Sequence, residues 1–337
     1  MENSPGMRDF SSILVIRRDN IGDLVCTTPL LTALRRQFSR AWIGVLANSY
    51  NAAVLNGNPD VDEVYAYRKL KHLGAGGSAL SALAEKVGLM WKLRRKKLDL
   101  VVLAAGCQDT RGAQFARILA PGRTLLSQPA ANGKHEVERT FSAARLLGIE
   151  GSIPPLRVIP DEIALDRARE AINRAGLAST RPLIGLHISA RRIAQRWPAK
   201  RFAELVIALR TQHGAATMLF WSPGDGNRSQ HPGDDDKARA ILELAAGLAP
   251  LVPWPTAELP DLVAGLAVCD AVICSDGGAM HIAAGLGKPI LCFFGDSPVD
   301  RWRPWGTRHI VLQASSGKVE DISLEEAVGS SSLLLRP

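Results

Sequence analysis

The stretch Ile273–Gly295, ICSDGGAMHIAAGLGKPILCFFG, contains two apolar runs separated by a glycine-rich turn and a segment of small residues. An apolar run ends at Ser275 and Asp276, two glycines follow, and a segment of small residues carrying His281 leads to a second apolar run. Strand, glycine-rich turn, helix and strand in this order predict a parallel α/β unit.

Both halves of the chain alternate short apolar strands with amphipathic helices. The first half opens with SILVIRR and the second with PLIGLHIS, and the Gly- and Pro-rich stretch GIEGSIPPLRVIPDE separates them. We therefore predict two α/β domains, residues 1–159 and 160–337. Ligands bind at the carboxyl ends of strands in such sheets, which directs attention to DNIGD, HISARRIAQRWP and SDGGAMH. None of these is a G-x-G-x-x-G or Walker motif, which disfavours dinucleotide dehydrogenases and P-loop enzymes.

The composition is that of a globular protein with a moderate positive charge. Of 337 residues, 46% are hydrophobic and 22% charged, and the net charge of +8 favours anionic partners. The five cysteines form no C-x-x-C pair, so we expect buried thiols in a reducing compartment and no metal site. We see no export signal in MENSPGMRDF and no apolar stretch long enough to cross a bilayer, and we expect a cytoplasmic protein.

Three segments at predicted strand ends carry candidate site residues, each with a structural alternative. Asp276, Gly277 and Gly278 could bind a phosphate at the start of a helix that carries His281, or form only a cap and a turn. Asp23, in DNIGD, could be an ionised general base or a helix cap. Charged and polar side chains at the remaining positions could bind substrate or be solvated surface groups: Arg17, Arg18, Ser189, Arg191, Arg192 and Arg196.

Five segments in one order give the chain a resemblance to a known family. They are ILVIRRDNIGDLVCTTPLLTALRRQF, NPDVDEVY, HEVERTFSAARLLGI, RWPAKRFAELV and DAVICSDGGAMHIAAGLGKPILCFFG. The sequence resembles glycosyltransferase family 9, the ADP-heptose:lipopolysaccharide heptosyltransferases, over most of its length. The resemblance implies a GT-B fold, with two Rossmann-like domains facing a cleft. It also implies inverting, metal-independent transfer from a nucleotide-diphosphate sugar, with the acceptor on the N-terminal domain and the donor on the C-terminal domain.

The resemblance also implies roles for individual residues. Asp23 matches the catalytic base, and Arg17, Arg18 and Asn20 lie on the acceptor side. An acid near Asp235 matches the carboxylate that reaches the donor ribose. The remaining residues on the donor side are Ser189, Arg192, Gln195, Arg196, Asp276, Gly277, Gly278 and His281.

The chain departs from the family pattern at three places. Gly277 stands where the family often has Thr, Gln195 stands where it often has Lys, and Phe294–Ser297 reads FGDS where it usually has FGPT. These differences leave the fold expectation intact and put the identity of the donor sugar in question.

The expected partners are a nucleotide-sugar donor, with ADP-heptose favoured, and a lipid-linked or phosphorylated glycan acceptor. No further cofactor and no nucleic acid is expected. The basic stretch Lys86–Leu100, with four consecutive basic residues Arg94–Lys97, is either a membrane-contacting segment on the cytoplasmic face of the inner membrane or a solvated helix face. Two rival functions are open, namely a GT-B-type nucleotide-sugar epimerase and a non-catalytic glycan- or nucleotide-binding relative.

Overall fold

The computed structural model describes residues 9–67, 79–128, 134–226 and 233–336. The chain divides into two compact units, Met1–Arg157 and Val158–Pro337. The predicted boundary at Ile159 lies beside this division. The amino-terminal stretch MENSPGMRDF, for which the sequence predicts no export signal, begins outside the described residues.

The first unit is built on a parallel sheet with strand order β3-β2-β1-β4-β5 in its described part. The strands are β1 (Ser12–Ile16), β2 (Trp42–Asn48), β3 (Glu63–Tyr67), β4 (Leu100–Leu103) and β5 (Arg123–Leu126). The helices are α1 (Ile21–Val25), α2 (Thr28–Gln37), α3 (Ala79–Arg95), α4 (Thr110–Leu119) and α5 (Glu136–Arg145). Central strand β1 pairs with both β2 and β4, and residues 13–16 are completely buried. A strand that is covered on both faces is apolar at every position, which explains the run in SILVI.

One predicted helix of the first unit is two helices in the structure. The segment LVCTTPLLTALRRQF forms the end of α1 and all of α2, with Pro29 in the first turn of α2. Proline has no backbone N–H to donate and fits the first turn of a helix. The proline therefore starts a new helix instead of continuing the first.

The second unit is built on a parallel sheet with order β11-β10-β9-β6-β7-β8 in its described part. The strands are β6 (Leu183–His187), β7 (Ala216–Trp221), β8 (Leu251–Pro255), β9 (Ala271–Ser275), β10 (Ile290–Phe294) and β11 (His309–Gln313). The helices are α6 (Glu162–Arg174), α7 (Ala199–His213), α8 (Asp235–Ala245), α9 (Leu259–Val268), α10 (Gly278–Gly285), α11 (Val299–Trp302) and α12 (Leu324–Leu334).

Trp197 anchors the core on one side of the second sheet. Its ring packs edge-on against Phe202 and tilted against Phe293, with centroid distances of 5.0 and 4.9 Å. Its indole N–H donates to the carbonyl oxygen of Ile322 at 2.9 Å, which satisfies the one polar atom of this buried side chain. The core therefore fixes the chain at the end of the loop that follows β6.

The strand orders place a switch point in each sheet. The chain leaves β1 toward β2 on one side and later adds β4 on the other, and β6 is flanked in the same way by β7 and β9. Ligands of doubly wound sheets bind beside such points, at the carboxyl ends of the strands. The segments that follow β1, β6 and β9 are those that the sequence predicts to carry the site.

Four of the five cysteines are buried as predicted: Cys26, Cys269, Cys274 and Cys292. The prediction is wrong for Cys107, which is exposed in the turn after β4 because the strand ends at Leu103. Within the ranges that the structure describes, no helix combines the length and the apolar character needed to cross a bilayer.

The packing of α9 gives a test of the second unit. An alanine Cβ at Gly265 would overlap the Phe220 ring and lie 2.9 Å from Nε1 of Trp254. We expect Gly265→Ala to lower the free energy of unfolding by about 1–3 kcal/mol. An alanine Cβ at Gly329 in α12 would lie in open space. Gly329→Ala should therefore raise the free energy of unfolding by about 0.5–1 kcal/mol. Urea unfolding measures both, and a change of the same sign in both variants would contradict this packing.

Candidate active site

A buried arginine lies at the carboxyl end of β1. Arg17 is 2% exposed, and its Nη1 donates to the carbonyl oxygen of Ala104, just beyond β4, at 2.9 Å. Its Nη2 donates to Asp23 Oδ1 at 2.6 Å and to Glu136 Oε1 at 2.8 Å. Its Nε lies 3.1 Å from Asp19 Oδ2. A buried charge is tolerated only when it is paired, and the three carboxylates provide that pairing.

Asp23 is held by hydrogen bonds on both carboxylate oxygens. Oδ1 accepts from Arg17, and Oδ2 accepts from the backbone N–H and the side-chain amide of Asn20 at 3.1 and 2.9 Å. Burial favours a higher pKa for Asp23, but Arg17 and the hydrogen bonds from Asn20 outweigh it, so the pKa lies below its ordinary value. The carboxylate is therefore ionised at neutral pH.

The cap of α1 is divided between two residues. Asn20 is the N-cap, and Asp23, three residues on, accepts from the backbone N–H of Asn20. The alternative role of Asp23 in capping the helix is thus also present. Asp23 is the third residue of α1 and takes part in the capping box, whereas Asn20 is the cap itself. The hydrogen bonds from Arg17 and Asn20 leave part of the acceptor capacity of the Asp23 carboxylate unused, because an ionised carboxylate has about four lone-pair sites.

Arg18 belongs to a neighbouring buried cluster. Its guanidinium donates to the hydroxyl of Tyr67 and the carboxylate of Asp109, and lies 5.7 and 5.2 Å from the ring centroids of Tyr67 and Phe115. Arg17 and Arg18 are both buried, so the interpretation of these arginines as solvated surface charges is wrong. The structure brings Arg17, Asn20 and Asp23 together and directs the side chain of Arg18 to a different set of partners.

Sequence reasoning missed the partners that hold these arginines. Glu136 and Thr140 lie on α5, and Glu136 directly follows the N-cap His135. The available signal was HEVERTF, in which a glutamate follows the helix cap, but nothing local shows that this helix start lies beside β1. Tyr67 and Asp109 were missed for the same reason, whereas Asp19 lies within the segment DNIGD itself and was missed although it is close to Arg17 in the sequence.

Asp276 lies immediately after β9 in a small polar cluster. Its Oδ2 accepts from Gln195 Nε2 at 2.9 Å, and the same amide lies 3.3 Å from Ser297 Oγ. Burial raises the pKa of Asp276, and hydrogen bonds from Ser297 and Gln195 together with the charge of Arg192 only partly offset the effect. Gln195, at the position where the family often has lysine, is buried and supplies a neutral donor.

The glycines after Asp276 open α10. Gly277 is the N-cap and Gly278 the first helical residue, so Asp276 does not cap the helix. His281 is 2% exposed, and its ring packs edge-on against Trp302 with a centroid distance of 6.0 Å. Both phosphate binding at this helix start, which opens on two glycines, and the donor role of His281 stay predictions.

The loop after β6 is braced by its own side chains. Ser189 Oγ accepts from the backbone N–H of Ser222 at 2.9 Å, and Arg196 Nε donates to the carbonyl oxygen of Ala190 at 2.9 Å. Arg192 pairs with Asp296 at 3.0 Å, and both side chains are more than half exposed. Arg192 is therefore the loop arginine held by the weaker kind of contact.

The three consecutive aspartates at the start of α8 have different environments. Asp235 is exposed, and its carboxylate accepts from Trp221 Nε1 at 2.7 Å and from the backbone N–H of Gly224 at 2.9 Å. These two hydrogen bonds lower the pKa of Asp235. Asp234 is buried, and its Oδ2 accepts no hydrogen bond from the residues that the structure describes. Asp236 is exposed and pairs with Arg239.

Lys237 is a further residue that sequence reasoning missed. It lies in the first turn of α8 and donates to the carbonyl oxygen of Ile188, just beyond β6, at 2.8 Å. Burial lowers the pKa of Lys237 to about 8. The lysine thus ties the start of α8 to the loop that carries Ser189. In the described part of the chain, no group of three or more His, Cys, Asp or Glu side chains could hold a metal ion.

Comparison with known proteins identifies the family. The model of glycosyltransferase family 9 (heptosyltransferase) matches residues 115–329. Lipopolysaccharide heptosyltransferase 2 of Escherichia coli K12 is 28% identical over 324 residues, covering 90% of this chain and 88% of its own length. Lipopolysaccharide heptosyltransferase 3 of Escherichia coli is 24% identical over 315 residues, covering 87% and 86%.

Solved structures show the same fold. A family 9 glycosyltransferase from Veillonella parvula superposes with a TM-score of 0.81 at 21% identity, over 98% of each chain. Escherichia coli ADP-heptose lipopolysaccharide heptosyltransferase II gives a TM-score of 0.73 at 22% identity, over 96% of this chain and 98% of that one. The predicted GT-B fold class is confirmed. The chain belongs to glycosyltransferase family 9 and is a glycosyltransferase of the heptosyltransferase kind.

The buried cation at the end of β1 should dominate the stability of this region. Arg17→Met leaves Asp23 and Glu136 buried without their shared partner, and we expect it to lower the free energy of unfolding by about 3–5 kcal/mol. Arg167→Met removes an exposed arginine paired with Asp261 and should cost no more than about 1 kcal/mol. Denaturant unfolding of both variants measures the difference, and equal losses would contradict the assignment.

The same variant has a predictable pH dependence. A lowered folded-state pKa means that the contribution of Asp23 to stability is present above its unfolded value and is lost as the pH falls through its folded value. The deficit of Arg17→Met relative to the wild type should therefore shrink below pH 3.8. A deficit that stays constant down to acid unfolding would show that Asp23 is not the group concerned.

Proposed function

We propose that the protein transfers a heptose from ADP-heptose to a hydroxyl of a lipopolysaccharide-core or related glycan acceptor, with inversion and without a metal ion. Its relatives support this: two are named lipopolysaccharide heptosyltransferases, and one similar structure is titled a heptosyltransferase with ADP-2-deoxy-2-fluoro heptose. The first unit would hold the acceptor and the second the donor. A lipid-linked acceptor would place the reaction at the cytoplasmic face of the inner membrane.

The observation that carries the proposal is the ionised, buried carboxylate of Asp23. An acceptor hydroxyl is a poor nucleophile, and a positioned base takes its proton as the oxygen attacks the anomeric carbon. Arg17 and Asn20 fix the orientation of the carboxylate, and its remaining lone-pair site can accept the hydroxyl proton. The lowered pKa makes Asp23 a weak base. Proton transfer to Asp23 would therefore be completed only as the new C–O bond forms and makes the hydroxyl acidic.

Arg17 would then act as a positioning residue. The contacts that the structure describes for Arg17 are with other residues of the protein, including Asp23, Glu136 and the carbonyl of Ala104. It keeps a carboxylate ionised inside the protein, where isolated charge is costly. Asn20, which is exposed, and Arg18, which lines the neighbouring cluster, are better placed on the acceptor side.

The leaving diphosphate would be stabilised by the second unit. Backbone N–H groups at Gly277 and Gly278 open α10, and a helix start with glycines suits a phosphate. Arg192 would supply the charge that the lysine supplies elsewhere in the family, because Gln195 is neutral and is hydrogen-bonded to Asp276. Asp235, with Ser189, Arg196 and His281, would complete the donor side, with the Asp235 carboxylate toward the ribose.

The epimerase alternative is not favoured, because the named relatives that match along most of the chain are transferases. A non-catalytic role is not favoured either, because the chain belongs to a family of enzymes and keeps an ionised carboxylate at the position of the base.

Replacing the base tests the mechanism. We expect Asp23→Asn to lower kcat by about 10²- to 10⁴-fold while ADP binding, measured by calorimetry, is unchanged. The matched control is Asp99→Asn, because Asp99 accepts hydrogen bonds from Ser11 and Ser12 at the opposite end of the strands. The Asp99 variant should keep its turnover. Normal turnover of the Asp23 variant, or loss of ADP binding in it, would refute the assignment.

Replacing the loop arginine tests the donor side. An arginine that binds a diphosphate makes charge-assisted hydrogen bonds, each contributing about 1.5–3 kcal/mol. Arg192→Gln should therefore raise the Kd for ADP by roughly 10- to 100-fold. Its exposed neighbour provides the control, Arg191→Gln, which should change the Kd less than about threefold. Equal effects of the two substitutions would indicate only a diffuse positive field.

A further inference from the structure

The outward face of α3 carries large apolar side chains that the fold does not use. Val87 and Trp91, four residues apart and so on one face of the helix, are 60% and 62% exposed. Ile118 on α4 is 47% exposed, and Arg94 donates to its carbonyl oxygen at 3.2 Å, so it adjoins the same face. We call Val87, Trp91, Ile118 and the basic residues Arg94, Arg95 and Lys97 the α3 patch.

The core does not require these side chains. The inward face of α3 supplies Met90 and Leu93, which are 6% and 0% exposed within the core of the first unit. Single exposed apolar residues are common on proteins, whereas a tryptophan with aliphatic neighbours indicates a surface that meets something else.

The charge around the apolar residues is positive and only partly matched. The segment 84–97 contains six basic residues and one acidic residue. Lys92 and Lys96 pair with Glu63, at 2.5 and 3.6 Å. Arg94, Arg95 and Lys97 are exposed, and the Arg95 guanidinium lies 4.5 Å from the Trp91 ring centroid. The patch therefore presents an amphipathic aromatic ring directly beside cations.

We propose that the α3 patch binds the surface of an anionic phospholipid bilayer. Tryptophan favours the boundary between headgroups and acyl chains, where the apolar part of its ring is buried and its N–H stays hydrated. Arginine and lysine beside it bind lipid phosphates, and their long side chains extend to the headgroups. Trp91 and Val87 enter the bilayer boundary while Arg94, Arg95 and Lys97 contact the phosphates.

Vesicle flotation tests this on the full chain. Wild-type protein should float with vesicles of phosphatidylcholine and phosphatidylglycerol, should not float with phosphatidylcholine alone, and should be released by high salt because the charges are screened. Neutralising three basic residues together, as Arg94→Gln, Arg95→Gln and Lys97→Gln, should lower the partition coefficient on the order of 100-fold. Trp91→Ala should lower it roughly tenfold.

Matched controls separate the patch from general positive charge. Arg167, Arg169 and Arg174 are exposed on α6, and their replacement by Gln makes the same change in net charge. Ile163, 71% exposed on the same helix, controls for Trp91. These controls should float like the wild type. Equal loss of flotation in the patch variants and the control variants would overturn the proposal. Wild-type protein that never floats with anionic vesicles would also overturn it, and this is the result expected if the patch binds an acidic protein instead.

The result of the flotation test is independent of the test of the proposed sugar transfer. Patch variants should transfer sugar to a detergent-solubilised acceptor at the wild-type rate, because the patch residues contact neither Asp23 nor Arg17. Flotation without any transferase activity would contradict the proposed function and leave the membrane surface supported. Transfer without flotation would contradict the membrane surface alone.

Discussion

The first unit depends on one buried charge, the guanidinium of Arg17. It lies between the ends of β1 and β4, bonded to the carbonyl of Ala104 and to the carboxylates of Asp23 and Glu136. These contacts tie the loop after β1, the end of β4 and the start of α5 to one side chain. Because the cation is buried, the carboxylates beside it must stay ionised for the arrangement to be stable. The stability of this region and the ionised state of Asp23 therefore have the same origin.

Asp276, a partly buried carboxylate of the second unit, has different neighbours. Asp276 has the neutral amide of Gln195 beside it, and its pKa is raised where that of Asp23 is lowered. A lysine at position 195 would compensate the charge of Asp276, whereas the amide of Gln195 does not; in the function proposed above, Arg192 and the start of α10 would therefore balance the charge of the diphosphate. The two carboxylates differ because Arg17 and the hydrogen bonds from Asn20 outweigh burial at Asp23, whereas burial outweighs the hydrogen bonds from Ser297 and Gln195 and the charge of Arg192 at Asp276.

Much of the fold could be predicted from the sequence, because strands of a parallel sheet are apolar throughout and glycine or polar residues mark their ends. SILVI, WIGVLAN and AVICS are strands for this reason. The candidate site was predictable where its residues directly follow a strand, as Asp276 does, or lie in the first turn of the helix that comes after the strand, as Asp23 does. Glu136, Asp109 and Lys237 were not, because they come from distant segments whose approach is determined by packing. Burial of Arg17 and exposure of Cys107 likewise depend on tertiary contacts that local sequence does not record.

Arg17 and Asn20 hold Asp23 ionised within the protein. Carboxyl carbon NMR of protein labelled at aspartate measures this directly, with the resonance assigned by its absence in an Asp23→Asn variant. We predict a titration midpoint below the ordinary value of 3.8 in the wild type and a higher midpoint in Asn20→Ala, which lacks the side-chain hydrogen bond. A midpoint above 3.8 in the wild type, unchanged by the Asn20 substitution, would contradict the account.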